Sequence, residues 1–216
     1  MVFDLKKEAL TASGLREEDL IRSYLDRLDL LSRLFTFKEE SDFSLRTRAE
    51  KLFEALWKDR PNRYQPGGHF RLNKVIDAQL SSKREAVGNC LGLTILYNCL
   101  LKMIGIEAET LHLENAFGIG PHVLTILRVD DFIIDIENSL PDGFDYKRHK
   151  QDPSRIEWGN KELVADIYQS MGTELFEKGD FGEALKNYDI ALKYNPGYEK
   201  AVLNRDILLD RIKMKK

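Results

Sequence analysis

The sequence predicts an α+β protein in which helices precede and follow a small antiparallel sheet. Three observations carry this expectation. Apolar residues recur every three to four positions through four segments ahead of residue 105. The period shortens to two between 108 and 136. From about Asn160 it lengthens again and stays helical to the C-terminal end.

The elements follow in order. A helix is expected over 16–35, where Leu20, Ile21, Tyr24, Leu25, Leu28, Leu31 and Leu34 form a stripe. Glu17, Glu18 and Asp19 stand in its first turn, where the helix dipole favours negative charge. A second helix runs from Ser44 to about Arg60, with Leu45, Ala49, Leu52, Phe53, Leu56 and Trp57 on one face and Pro61 as its stop. Pro61 to Phe70 (PNRYQPGGHF) reads as a loop, and a short helix around Leu72 to Leu80 follows. The next helix starts at Cys90. Leu93, Leu96, Leu100 and Ile104, widened by Leu101 and Met103, put most of it inside a core, and Gly105 ends it.

Ala108 to Leu113, His122 to Arg128 and Phe132 to Ile136 read as strands. A Gly-containing loop, Asn115 to Pro121, joins the first two. An acidic turn at Asp130-Asp131 makes the last two a hairpin, whose apolar character implies burial on both faces. Residues 139–159 form a long loop, a length usually reserved for function or linkage.

Composition bounds the function. With 216 residues there is room for one ordinary domain and a small extra module. A net charge of −3 gives no case for a nucleic-acid or anionic-membrane partner. No secretory signal and no stretch of membrane-spanning length is visible. Two cysteines without metal-type spacing point to a reducing compartment, the cytoplasm. Cys90 and Cys99 fall on opposite faces of one helix, about 13 Å apart along its axis, so they are not expected to pair. No metal set and no phosphate-binding glycine loop appears, so neither metal nor cofactor is expected.

Taken alone, Cys90 reads as one more small buried hydrophobe. Its place at a helix start gives it a second reading. Backbone N–H groups there are unpaired, and thiols in that setting react as thiolates. A thiolate nucleophile needs a base, and the base an orienting group. His122, opening a strand, and Asp135, on the next strand, supply those roles in chain order. A turn centred on Val129-Asp130 puts Asp135 opposite Leu124, a diagonal neighbour of His122 at roughly 7–8 Å between backbones. A turn centred on Asp130-Asp131 keeps the same face but moves the pair two residues further apart.

At these residues the chain resembles the transglutaminase-like branch of the papain-like cysteine enzymes. Gly88-Asn89-Cys90, followed by a buried helix ending in Leu101-Lys102-Met103-Ile104-Gly105-Ile106-Glu107-Ala108, matches its first motif. His122-Val123 matches the second and Ile133-Ile134-Asp135 the third, and the likeness covers about 45–140. It implies a core of helices packed on a small antiparallel sheet, with Cys90 as nucleophile, His122 as general base and acid, and Asp135 as orienter. The chain departs from the family at Leu91 and Leu124, where many members carry an aromatic residue, and at Ile136-Glu137-Asn138, where Pro or Thr is usual after Asp. These departures bear on substrate class. The oxyanion hole would use the Cys90 N–H and one further donor from Asn73, Asn89 or Trp57.

Tyr168, Met171, Gly172, Leu175, Ala184, Tyr188, Ala191 and Pro196, with Gly179-Asp180-Phe181 at the turn, resemble one tetratricopeptide repeat over about 165–198. A third helix over 199–213 would cover it. One repeat cannot bury a core alone, so it is expected to pack on the preceding domain or to dock a protein partner. The expected organisation is an N-terminal helical segment at 1–43, a transglutaminase-like core at 44–158, and the repeat with its capping helix at 160–216. His112 reads as a packing or surface residue, His69 as a loop residue that could border a cleft, and His149 as part of a solvated charged run, Lys147 to Lys150.

The expected activity is cysteine-dependent acyl transfer, hydrolysis of a peptide-like amide rather than cross-linking, on a peptide or protein substrate. The alternative is an inactive member of the same branch that binds peptide or protein through its cleft or repeat surface. Fold alone does not separate the two.

Overall fold

A computed structural model of the chain describes residues 3–35, 43–58, 60–83 and 85–214. The stretch 36–42, within the segment expected over 1–43, lies outside the described residues. Among the described residues there are eight helices and four strands. The helices are α1 (Leu5–Ala12), α2 (Glu18–Phe35), α3 (Leu45–Trp57), α4 (Leu72–Leu80), α5 (Cys90–Met103), α6 (Asn160–Glu177), α7 (Phe181–Tyr194) and α8 (Glu199–Lys213). The strands are β1 (Glu109–Ala116), β2 (Gly120–Val129), β3 (Phe132–Ile136) and β4 (Ile156–Trp158). They form one antiparallel sheet in the order β3-β2-β1-β4, so the protein is α+β.

Local chemistry explains the main boundaries. Ser44 caps α3 by accepting from the Thr47 N–H at 3.2 Å, and the helix stops at Trp57, ahead of Pro61. Asn89 caps α5, accepting from Gly92 N–H at 3.0 Å, and Gly105 takes φ 76 just past its end. Asp180 caps α7 in the same way through Glu183 N–H. Two elements differ from the expectation. Helix α1 is present, capped by Asp4, and β4 lies within the stretch read as loop. Its three residues pair with Thr110, Leu111 and His112 of β1.

Helix α5 is the axis of the core. Leu91 through Leu101 are buried, and the principal apolar cluster runs from α1 through α8. A buried polar network fixes α5 against the sheet. Asn98 donates to Thr110 Oγ1 at 3.2 Å and accepts from Thr125 Oγ1 at 2.7 Å. Asn138 donates to Thr125 Oγ1 at 2.9 Å and Thr94 Oγ1 at 3.3 Å. Such networks specify one relative placement of helix and strands, because each group left unpaired inside would cost about 1–3 kcal/mol.

The C-terminal helices are tied to the rest by Tyr198 to Asp166 at 2.7 Å, Tyr194 to Glu8 at 2.5 Å and Asn160 to the Ala108 carbonyl at 3.2 Å. Ala184, Tyr188 and Leu208 form a separate small cluster among α6, α7 and α8. No helix among the described residues is long and apolar enough to cross a membrane.

Candidate active site

The turn before α5 is packed backbone against backbone. Asn89 N–H donates to the His69 carbonyl at 3.0 Å, and Gln65 N–H to that of Gly88 at 3.0 Å. A Cβ on Gly92 would come within 2.2 Å of the same His69 oxygen. This contact holds Cys90 at the first position of α5, half-buried and free of disulfide. Asn89 satisfies the N–H of Gly92 with its side chain and that of Leu93 with its carbonyl. Among the described residues no hydrogen bond is donated by the N–H groups of Cys90 or Leu91, both in the first turn of α5.

That cleft holds about 290 Å³ and is lined by Cys90, His122, His112, Tyr64, Asn89 and Phe117, among others. Of the three further oxyanion donors expected, Asn89 lines it and Asn73 and Trp57 do not. His69, exposed, contributes its carbonyl to the turn and does not line the cleft.

His122 reaches the cleft from β2, buried to 6% exposure. Its Nε2 lies 2.9 and 2.8 Å from the two carboxylate oxygens of Glu137. Cys90 lines the same cleft as His122 and acts on the ring's titration, raising its pKa. Burial would push the ring's pKa down, but the bonds to Glu137 and the influence of Cys90 outweigh it and hold the ring up at about 10. Burial would likewise push Glu137 up, and its bonds from His122, His149 and Ser139 hold it down at about 2. At neutral pH the pair is an imidazolium and a carboxylate.

The carboxylate on His122 is thus Glu137 and not the expected Asp135. The reason is hairpin register. Val129 pairs with Phe132, so the loop is Asp130-Asp131, with Asp130 in the left-handed region at φ 52. Asp135 then pairs with Ile126, and the same register carried on two residues brings Glu137 opposite Leu124, diagonal to His122. Asp135, fully buried, is gripped by Arg155 at 2.8 and 3.2 Å and by Lys150 at 2.9 Å. Its work is to anchor the 146–155 segment to β3, helped by Tyr146 N–H donating to its carbonyl at 2.8 Å.

That segment buries a residue expected in solvent. His149 is not solvated but 3% exposed, with Nε2 at 3.2 Å from Glu137 Oε2. The rings of Phe117 and Tyr146 lie 4.7 and 5.0 Å from it. Glu137 therefore joins two imidazoles and also accepts from Ser139 Oγ at 2.6 Å and Ser139 N–H at 3.1 Å. His112 is buried too, its ring stacked on Trp158 at 4.1 Å, and it lines the cleft. No group of residues able to hold a metal ion occurs among the described residues.

No family model, curated protein or solved structure matches the chain.

Proposed function

We propose that the chain is a cysteine-dependent acyl-transfer enzyme acting on an amide of a peptide or protein, by hydrolysis. Cys90 is the nucleophile, His122 the general base and acid, and Glu137 the orienting carboxylate in place of Asp135. One observation carries the reading: a fully buried Glu137 holds Nε2 of an imidazole that shares one open cleft with the half-buried Cys90 thiol. A purely structural histidine would not need an ionised carboxylate enclosed behind it.

In this reading the Cys90 sulfur adds to the substrate carbonyl as thiolate, its proton already on His122. The free N–H groups at the start of α5 receive the oxyanion. His122 protonates the departing amine, leaving a thioester. Water then attacks, His122 takes its proton, and the thiol is released with the acid product. Glu137 keeps the ring oriented and its positive charge compensated throughout.

The arrangement of a thiol-bearing helix packed on antiparallel strands that carry the histidine and the acid supports placement in the transglutaminase-like branch of the papain-like enzymes. The α6–α7 pair, with Gly179 at φ 82 in its turn, supports one tetratricopeptide-type unit, capped by α8. Two free thiols favour a cytoplasmic setting.

Iodoacetamide labelling at pH 6 to 7 tests the chemistry. Cys90 should label quickly, and His122→Ala should slow it. Cys99, fully buried with its thiol pKa pushed up by burial, serves as the slow internal control. A Cys90 no faster than a free thiol would return the protein to the reading of an inactive, peptide-binding member.

A further inference from the structure

We propose that the Cys90 cleft continues into a groove that selects a polypeptide carrying lysine or arginine next to an apolar side chain. The inference deepens the functional reading above and rests on it for the chemistry, but not for the binding. Beside the cleft lies a second cavity of about 720 Å³, between β4 and the start of α8. The two share His112, Pro121 and Lys200 as wall residues. A chain seated with its amide at Cys90 therefore passes between the sheet edge and the C-terminal helices.

The second cavity has an apolar side. Ile156 and Leu203 are 46% and 60% exposed there, over the packed rings of Trp158 and Tyr198. Its rim is acidic. Glu114, Glu162 and Glu199 line it, and among the described residues none of the three forms an ion pair. Glu157, also on the rim, is already neutralised by Arg128 at 2.6 Å. Among the described residues Lys200 is the one lysine or arginine that lines it. Each unpaired carboxylate can meet an ammonium or guanidinium of a ligand.

A separate observation marks the junction as a ligand site. His112 is 7% exposed, and its Nδ1 has no hydrogen-bond partner among the described residues. A buried polar nitrogen without a partner is costly, and an amide of a bound chain would supply one. The ring cannot easily turn away, because it is stacked on Trp158 at 4.1 Å.

The test uses full-length Cys90→Ala protein, which cannot turn over substrate. A fluorescein-labelled peptide of alternating leucine and lysine is compared by anisotropy with its leucine–glutamate counterpart. The lysine peptide is expected to bind about tenfold tighter or more, with affinity falling as salt rises. Glu114→Gln, Glu162→Gln and Glu199→Gln should each weaken it about two- to fivefold, and Lys200→Gln should strengthen it, all with melting temperature kept. Equal binding of the two peptides, or a preference that survives the triple Gln variant, overturns the proposal. So does displacement by spermine as effective as by unlabelled peptide, which would assign the groove to polyamines. The arms separate cleanly from the chemistry. Slow alkylation of Cys90 in the wild-type protein, with lysine preference intact, sinks the catalytic reading and supports the groove.

Discussion

Glu137, just past β3, and His122, on β2, are fifteen residues apart and meet with 2.8 Å between Oε2 and Nε2, both buried. Replacing the carboxylate by an amide of the same shape isolates its charge. Glu137→Gln should drop the His122 ring from about 10 towards its ordinary 6.5, followed by NMR titration. Any amide turnover should fall by up to about 10⁴-fold, the loss seen when an orienting carboxylate becomes an amide, and alkylation of Cys90 should slow with it.

Asp135→Asn makes the opposite split. It leaves the Glu137–His122 bond in place but removes the charge that holds Lys150 and Arg155. Breaking a buried ion pair from one side costs about 3–5 kcal/mol, so urea unfolding should report a loss near the lower end, since both cations are partly exposed. Hydrogen exchange should rise across 146–155, the segment these contacts pin. Alkylation of Cys90 in the folded variant should stay fast.

His149→Phe keeps an aromatic ring among Phe117 and Tyr146 and removes one donor to Glu137. Hydrogen bonds to charged groups are worth about 1.5–3 kcal/mol, so reactivity of Cys90 should fall about tenfold or more. The acid limb of the reactivity–pH profile should move up, because Glu137 is held less firmly in its ionised form.

The two shifted groups bracket stability with pH. Glu137 has its folded pKa depressed from 4.5 to about 2, so its contribution is present above 4.5 and is lost as pH falls towards 2. His122 is raised from 6.5 to about 10, so its contribution is complete below 6.5 and is lost as pH rises towards 10. Melting temperature measured against pH should therefore be highest between about 4.5 and 6.5 and fall on both sides. The Glu137→Gln variant should flatten both slopes.

Gly143 closes the turn that presents Glu137, which donates its N–H to the Gly143 carbonyl at 2.8 Å. A Cβ there would lie 1.9 Å from the Glu137 carbonyl oxygen. Gly143→Ala should cost about 1–3 kcal/mol by overpacking and displace Glu137 from His122, seen as a lowered His122 titration.

Much of the fold was legible because its elements are long and periodic. The stretches 72–80, 132–136 and 199–213 run where their periodic apolar residues and the turns beside them lead one to expect. Helix α1 and strand β4 were not, and for different reasons. Leu5–Ala12 spans barely two turns. Ile156–Trp158 is a strand only because β1, some forty residues earlier, offers it an edge. The site divides in the same way. Cys90 and His122 carry local signals: a glycine-flanked helix start and a strand opening. Choosing between Asp135 and Glu137 needed the hairpin loop to be known to the residue, and both positions are acidic, so composition could not break the tie. His149 sits among Lys147, Arg148 and Lys150, and its neighbours hide a burial that the Asp135 anchor imposes from outside the segment.

The Asp130-Asp131 loop acts as a ruler for the acid that meets His122. Pull the β3 arm back by two positions, with every side chain unchanged, and the acid behind His122 would become the one now clasped by Arg155, while Glu137 would overshoot. A tight turn at the far end of two strands thus selects which of two neighbouring acids meets His122, and insertions or deletions at that distant loop should disturb the cleft as much as substitutions beside it.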